Sequence, residues 1–241
     1  LIPDEECIVA KPAHEAPPEK KIRLVLRALA ERYGEKPRRG HGDPLEVLVR
    51  GVLSQNTTDV NSGRAYRSLR EQFAEWEAMA GAPRRRIARA IEQGGLADQK
   101  ARTIKSILSW LRKRDGALSD GLEFLRGLDD AEVEKRLTAI KGVGIKTARL
   151  VLLFGFGRPV FVVDTHVLRV SKRLGLIPPK CTRERAHVLL DGLVSDERKY
   201  SGHLNMIEHG RKTCHARSPA CAECCVRRWC LHVREREGAE G

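Results

Sequence analysis

Leu137-Thr138-Ala139-Ile140-Lys141-Gly142-Val143-Gly144-Ile145-Lys146-Thr147-Ala148, followed fifteen residues later by Val163-Asp164-Thr165-His166, decides how the chain is read. Val133, Leu137 and Ile140 recur at helical spacing and predict an amphipathic helix. It stops at Lys141-Gly142-Val143-Gly144, where two glycines one residue apart permit a tight turn and close approach of the backbone to a ligand. Ile145 to Phe154 predicts a second helix, apolar on most faces and therefore buried. A helix, a Gly-apolar-Gly turn and a second helix aim backbone N–H groups at an anion. Lys146 falls in the first turn of the second helix, where the helix dipole and apolar surroundings both favour the neutral amine. A lysine that loses its proton near neutral pH is a nucleophile. Read alone, Lys146 is equally a phosphate contact or a solvated cation. Asp164 ends the apolar run Val160 to Val163, just before a helix predicted from Thr165 to Leu174, and alone it reads as a plain N-cap.

The whole chain narrows the choice. It has 241 residues with a formal charge of +13 and a pI of about 9.7, which favours a polyanionic partner, and the anion expected at the glycine turn is a DNA phosphate. Hydrophobic residues make up 41%, enough for a packed core, and no apolar run approaches the roughly 20 residues needed to cross a bilayer. No secretory leader is visible. Aromatics are only 5%, with no alternation of aromatic and basic residues suited to stacking single strands. Period-two alternation is almost absent, so the expected class is all-α. Residues 1–20, rich in Pro, Glu and Lys, read as a flexible lead-in. Asp59 is expected to cap one helix, and Tyr66, Leu69, Phe73 and Trp76 to follow one buried helix face.

Five of the seven cysteines lie between Cys214 and Cys230. In a basic chain without a leader, so tight a cluster points to a metal site in a reducing compartment. Cys214-x6-Cys221-x2-Cys224-x5-Cys230 supplies four thiolates, which suit a tetrahedral zinc or a cubane iron–sulfur cluster. Cys225 is surplus to that spacing.

Together, Gly142-Val143-Gly144-Ile145-Lys146-Thr147-Ala148, Val163-Asp164-Thr165-His166 and the four cysteines after His209-Gly210 resemble the helix-hairpin-helix DNA glycosylases of the endonuclease III type. The resemblance runs from about residue 22 to 232, and Lys141 departs from it where a proline is common. It implies that Lys146 is a Schiff-base nucleophile assisted by Asp164. It implies that Gly142 and Gly144 grip a DNA phosphate, and that Cys214, Cys221, Cys224 and Cys230 hold a structural 4Fe-4S cluster. The cluster would close a loop that presents Arg217 to DNA. After Val52-Leu53-Ser54, the residue that fills the space left by a flipped base would be Asn56 by direct match, with Gln55 one position early. Leu96 matches an apolar wedge.

The implied architecture is two helical domains with a DNA-binding cleft between them: residues 37–157 as a six-helix barrel ending in the hairpin, and residues 1–36 with 158–241 as the cluster domain. The implied activity is a bifunctional DNA glycosylase and abasic-site lyase of base excision repair. It would remove oxidised pyrimidines from double-stranded DNA and cut 3′ to the site by β-elimination. Two rivals stay open: a monofunctional base glycosylase, and a non-catalytic DNA-binding protein that senses redox state. The expected partner is duplex DNA with a damaged base or abasic site, not a membrane. The chain is expected to act as a cytoplasmic, nucleoid-associated monomer of prokaryotic type.

Overall fold

A computed structural model describes residues 17–38, 42–115 and 118–237. Most of the expected lead-in, Cys7 included, and part of the loop before Pro44 lie outside the described residues. The fold is all-α; among the described residues there is no strand, and no helix is long and apolar enough to cross a membrane.

The chain divides into two compact units, residues 39–162 and residues 1–38 with 163–241. Residues 158–162, expected in the cluster domain, therefore belong with the barrel. Arg158 binds the Asp130 carboxylate at 2.8 Å and the Arg126 carbonyl at 2.7 Å, and Val160, Phe161 and Val162 are buried. Burial and a half-buried ion pair hold this strand-like segment.

The first helix, α1 (Pro18–Tyr33), belongs to the second unit. The barrel unit begins with α2 (Pro44–Leu53), which Pro44 starts at its first position while the Asp43 side chain accepts from the Leu45 N–H at 2.8 Å. Next come α3 (Asp59–Gln72), α4 (Trp76–Gly81), α5 (Arg84–Ala90) and the long α6 (Ala97–Asp115). The hairpin helices are α7 (Asp130–Thr138) and α8 (Ile145–Leu150), and α8 runs into a π-helical turn, Val151–Gly155. Leu45, Leu48, Val49, Val52 and Leu53 of α2 are fully buried, and α2 packs on α3, α6, α8 and the π turn. A β-carbon on Gly51 would sit 3.0 Å from Thr147 Cγ2, so glycine sets how closely α2 meets α8.

Two local expectations change. The cap of α3 is Thr58, whose hydroxyl accepts from the Asn61 N–H at 3.2 Å; Asp59 is the first helical residue. Leu69 and Phe73 are buried, but Tyr66 and Trp76 are only half-buried, under the guanidinium groups of Arg50 and Arg70. Helix α3 ends at Gln72, so the four do not share one helix face.

The second unit is built from α1, α9 (Thr165–Leu174), α10 (Arg183–Leu193), α11 (Asp196–Lys212) and α12 (Leu231–Glu237), with two 3₁₀ turns among the cysteines. Helix α11 is its axis and packs against α1 and α9. A β-carbon on Gly210 would meet His166 Cβ at 2.8 Å, so this glycine permits the α9–α11 approach.

Candidate functional site

The hairpin turn is held by short-range backbone bonds. The Val143 N–H donates to the Ile140 carbonyl at 3.0 Å, and the Thr147 and Ala148 N–H groups both donate to the Gly144 carbonyl. A buried ion pair, Arg149 to Glu134 at 2.7 Å, ties α8 to α7. The two glycines do different work. Gly142 has φ +94°, and a β-carbon there would fall 2.2 Å from Thr103 Oγ1 on α6. Gly144 has an ordinary φ of −99°, and its β-carbon would meet nothing within 4 Å. The fold requires the first glycine and leaves open space beside the second.

Three loops gather around the first turns of α6. Lys100, only 2% exposed, donates to the Leu53 carbonyl at the end of α2 and to the Gly94 carbonyl, each at 2.8 Å. Thr103 lies beneath Gly142. The Gln55 amide reaches the Gly142 carbonyl and Thr147 Oγ1, each at 3.4 Å. Lys146 is half-buried, with Nζ 3.3 Å from Ser54 Oγ. The loops after α2 and before α6 each hold a residue on left-handed backbone, Asn56 at φ +51° and Leu96 at φ +50°. Both are exposed, Leu96 by 51%. Left-handed backbone is uncommon for leucine.

Asp164 lies in the other unit and caps α9, its Oδ1 accepting from the Val167 N–H at 2.8 Å. The cap expected of it is therefore present, and it engages one carboxylate oxygen.

Cys214, Cys221, Cys224 and Cys230 line a single small cavity, shared with Val170, Leu174, Val226 and Val233. Cys225 does not line it; it opens on a separate depression with Arg227, Arg228 and Arg234. Burial pushes the Cys224 thiol up to about 11 and raises that of Cys230 as well. Bare thiolates are therefore penalised in this pocket, and a multivalent cation is what would keep four of them ionised. Among the described residues no three His, Cys, Asp or Glu side chains converge on one metal ion.

The cysteine loop is fastened from outside. Arg169 of α9 donates to the Cys214 and Gly210 carbonyls at 3.0 and 2.7 Å. Arg173, one turn on, donates to the His215 and Ala216 carbonyls at 2.6 and 3.1 Å and to Cys214 Sγ at 3.3 Å. His209 has Nε2 3.7 Å from Cys224 Sγ and Nδ1 3.0 Å from the Tyr33 hydroxyl, and burial holds it neutral by lowering its pKa to about 4. Arg217 is exposed, beside Ser218 at φ +46°. Sequence reasoning passed over Lys100, Thr103, Arg169 and Arg173, because lysine, arginine and threonine in helices read as surface.

Comparison with known proteins agrees with this picture. Residues 49–195 match the family model of the HhH-GPD superfamily of base excision DNA repair proteins. A provisionally named DNA glycosylase of Arabidopsis thaliana is 42% identical over 69% of this chain, and the chain spans only 56% of that protein's length. Endonuclease III of Thermotoga maritima is 34% identical over 90% of this chain and 97% of its own. A trapped covalent intermediate of endonuclease III with DNA, an estranged-adenine complex, superposes with a TM-score of 0.77 at 30% identity, covering 91% of this chain and 98% of that one.

Proposed function

We propose a reaction for this chain from one premise: it belongs to the HhH-GPD superfamily of base excision DNA repair proteins and, within it, to the endonuclease III family. It is a bifunctional DNA glycosylase and abasic-site lyase. The observation that carries the assignment of its nucleophile is the setting of Lys146: first turn of α8, half-buried, 3.3 Å from Ser54 Oγ and among the loops that expose Asn56 and Leu96.

DNA binds through its backbone, without sequence readout, at the hairpin. The positive end of the α8 dipole at the hairpin turn suits a phosphate. Open space beside Gly144 supports close approach there, and Arg217 adds a cation on the cysteine loop. The damaged nucleotide leaves the stack, because its C1′ is shielded inside it. Leu96 wedges into the step. Asn56 enters the emptied space: it is exposed, whereas Gln55 is turned onto the hairpin.

The neutral Lys146 amine attacks C1′. The C1′–N bond breaks and the base departs with the bonding electrons, while Asp164 accepts a proton from the new ammonium. The sugar ring opens to an iminium linking Lys146 and C1′. Its positive nitrogen acidifies the C2′ proton; removal of that proton expels the 3′ phosphate by β-elimination, and water then hydrolyses the Schiff base. Oxidised pyrimidines are the substrate class we assign, on family resemblance. The four cavity cysteines would hold a 4Fe-4S cluster, which would supply a rigid anchor for the Arg217 loop.

Borohydride trapping on duplex DNA with one abasic site tests the proposal. Wild type should give a covalent adduct and Lys146→Gln none, with DNA affinity retained. An equal adduct from both would move the nucleophile elsewhere; no adduct from either would remove the lysine from the chemistry.

A further inference from the structure

Lys100 has no place in the reaction above, yet it is among the most buried charged side chains in the chain. Its ammonium sits at the meeting point of two loops. One bond runs to the Leu53 carbonyl, the last residue of α2 before Ser54-Gln55-Asn56. The other runs to the Gly94 carbonyl, two residues before Leu96. Burial lowers its pKa, so the site bears a cost that only firm hydrogen bonds offset. A β-carbon on Gly94 would lie 4.0 Å from Nζ and 3.0 Å from Ala65 Cβ, so the carbonyl is presented over a close-packed glycine. The residues that follow the two bonded carbonyls include, among the described residues, the two left-handed non-glycine residues of this unit, Asn56 and Leu96. Strained backbone persists only where surroundings over-determine it.

We infer that Lys100 is a positioning residue: a buried tie that locks the Asn56 and Leu96 loops to each other, so that wedge and gap-filler enter the duplex at a fixed separation. The inference rests on the reading of Leu96 and Asn56 as the groups that enter DNA. Thr103, one turn further along α6, props the hairpin at Gly142, so a single helix face sets all three loops.

The test compares two substrates for borohydride trapping under single turnover: an abasic site in a duplex, which must be opened, and the same site in a single strand, which need not be. Lys100→Met should slow trapping on the duplex roughly 10- to 100-fold, the cost of a small misplacement, and change the single strand by no more than about twofold. Leu96→Ala should show the same split. 2-Aminopurine opposite the abasic site should brighten on binding wild type and stay dim with Lys100→Met. Equal slowing on both substrates would make Lys100 a general fold element and overturn the proposal. A split for Leu96→Ala without one for Lys100→Met would overturn the tie and leave the wedge standing. No split for Leu96→Ala would remove the wedge reading and the tie with it. If Lys100→Met does not fold, Lys100→Arg keeps charge and donors on a longer side chain; it should fold and show a smaller split, and a wild-type profile from it would also overturn the proposal.

Discussion

The glycine hairpin and the cysteine loop are both short irregular stretches that present a functional group, yet they draw on distant side chains to different extents. The hairpin, residues 141–144, closes through backbone bonds among near neighbours, with Thr103 beneath Gly142 and the Gln55 amide on the Gly142 carbonyl. Residues 213–230 carry short-range backbone bonds too, but they are also fastened by side chains distant in sequence: Arg169 and Arg173 from α9, and His209 from α11. The first is a local solution that its own sequence enforces. The second also draws on neighbouring helices. The hairpin should therefore act as a rigid chemical platform, and the cysteine loop as a structure that depends on its ligand.

The largest effect should come from the platform's own reactive group, with Lys146→Gln reducing covalent trapping to background. Asp164→Asn should slow base excision roughly 100-fold or more, as expected for loss of an acid–base group. Asparagine caps a helix as well as aspartate does, so unchanged stability by thermal unfolding would separate chemistry from capping; unchanged excision would reduce Asp164 to a cap.

Removing the cluster sets the two regions directly against each other. Cys221→Ser, purified without added iron, should lose iron and visible absorbance. Amide exchange should then accelerate across residues 209–233 while residues 137–150 keep their protection. Comparable loss in both segments would erase the distinction.

The two hairpin glycines sharpen it further. Gly142→Ala should cost about 2–3 kcal/mol in denaturant titrations, from unfavourable φ and the clash with Thr103, and Thr103→Ala in that background should recover part. Gly144→Ala should leave stability within about 0.5 kcal/mol but weaken duplex binding about tenfold, since its β-carbon occupies space assigned to a phosphate. The smallest effect should be Arg173→Gln, costing about 1–2 kcal/mol for the lost charged hydrogen bonds and speeding iron loss to a chelator.

The amino-acid sequence by itself determined the elements whose signals are local. Helical periodicity gave the all-α class. Two glycines at one-residue spacing marked the hairpin, an aspartate before a helix marked the cap at Asp164, and four cysteines within seventeen residues marked the cysteine-lined pocket. These are readable because the interacting groups lie within a turn or a short loop of each other. Even so, a one-residue matter escaped: Thr58 and Asp59 are both good caps, and only the backbone conformation at Thr58 settles which one serves. Tertiary structure alone decided that Gln55 turns to the hairpin while Asn56 faces solvent. It also decided that Cys225 leaves the cavity, that Lys100 joins two loops 41 residues apart, and that Arg169 and Arg173 hold the cysteine loop. Such contacts join residues far apart along the chain, so no spacing records them. The buried lysine has the same composition signature as any solvated one, and only the packing around it fixes where its charge must go.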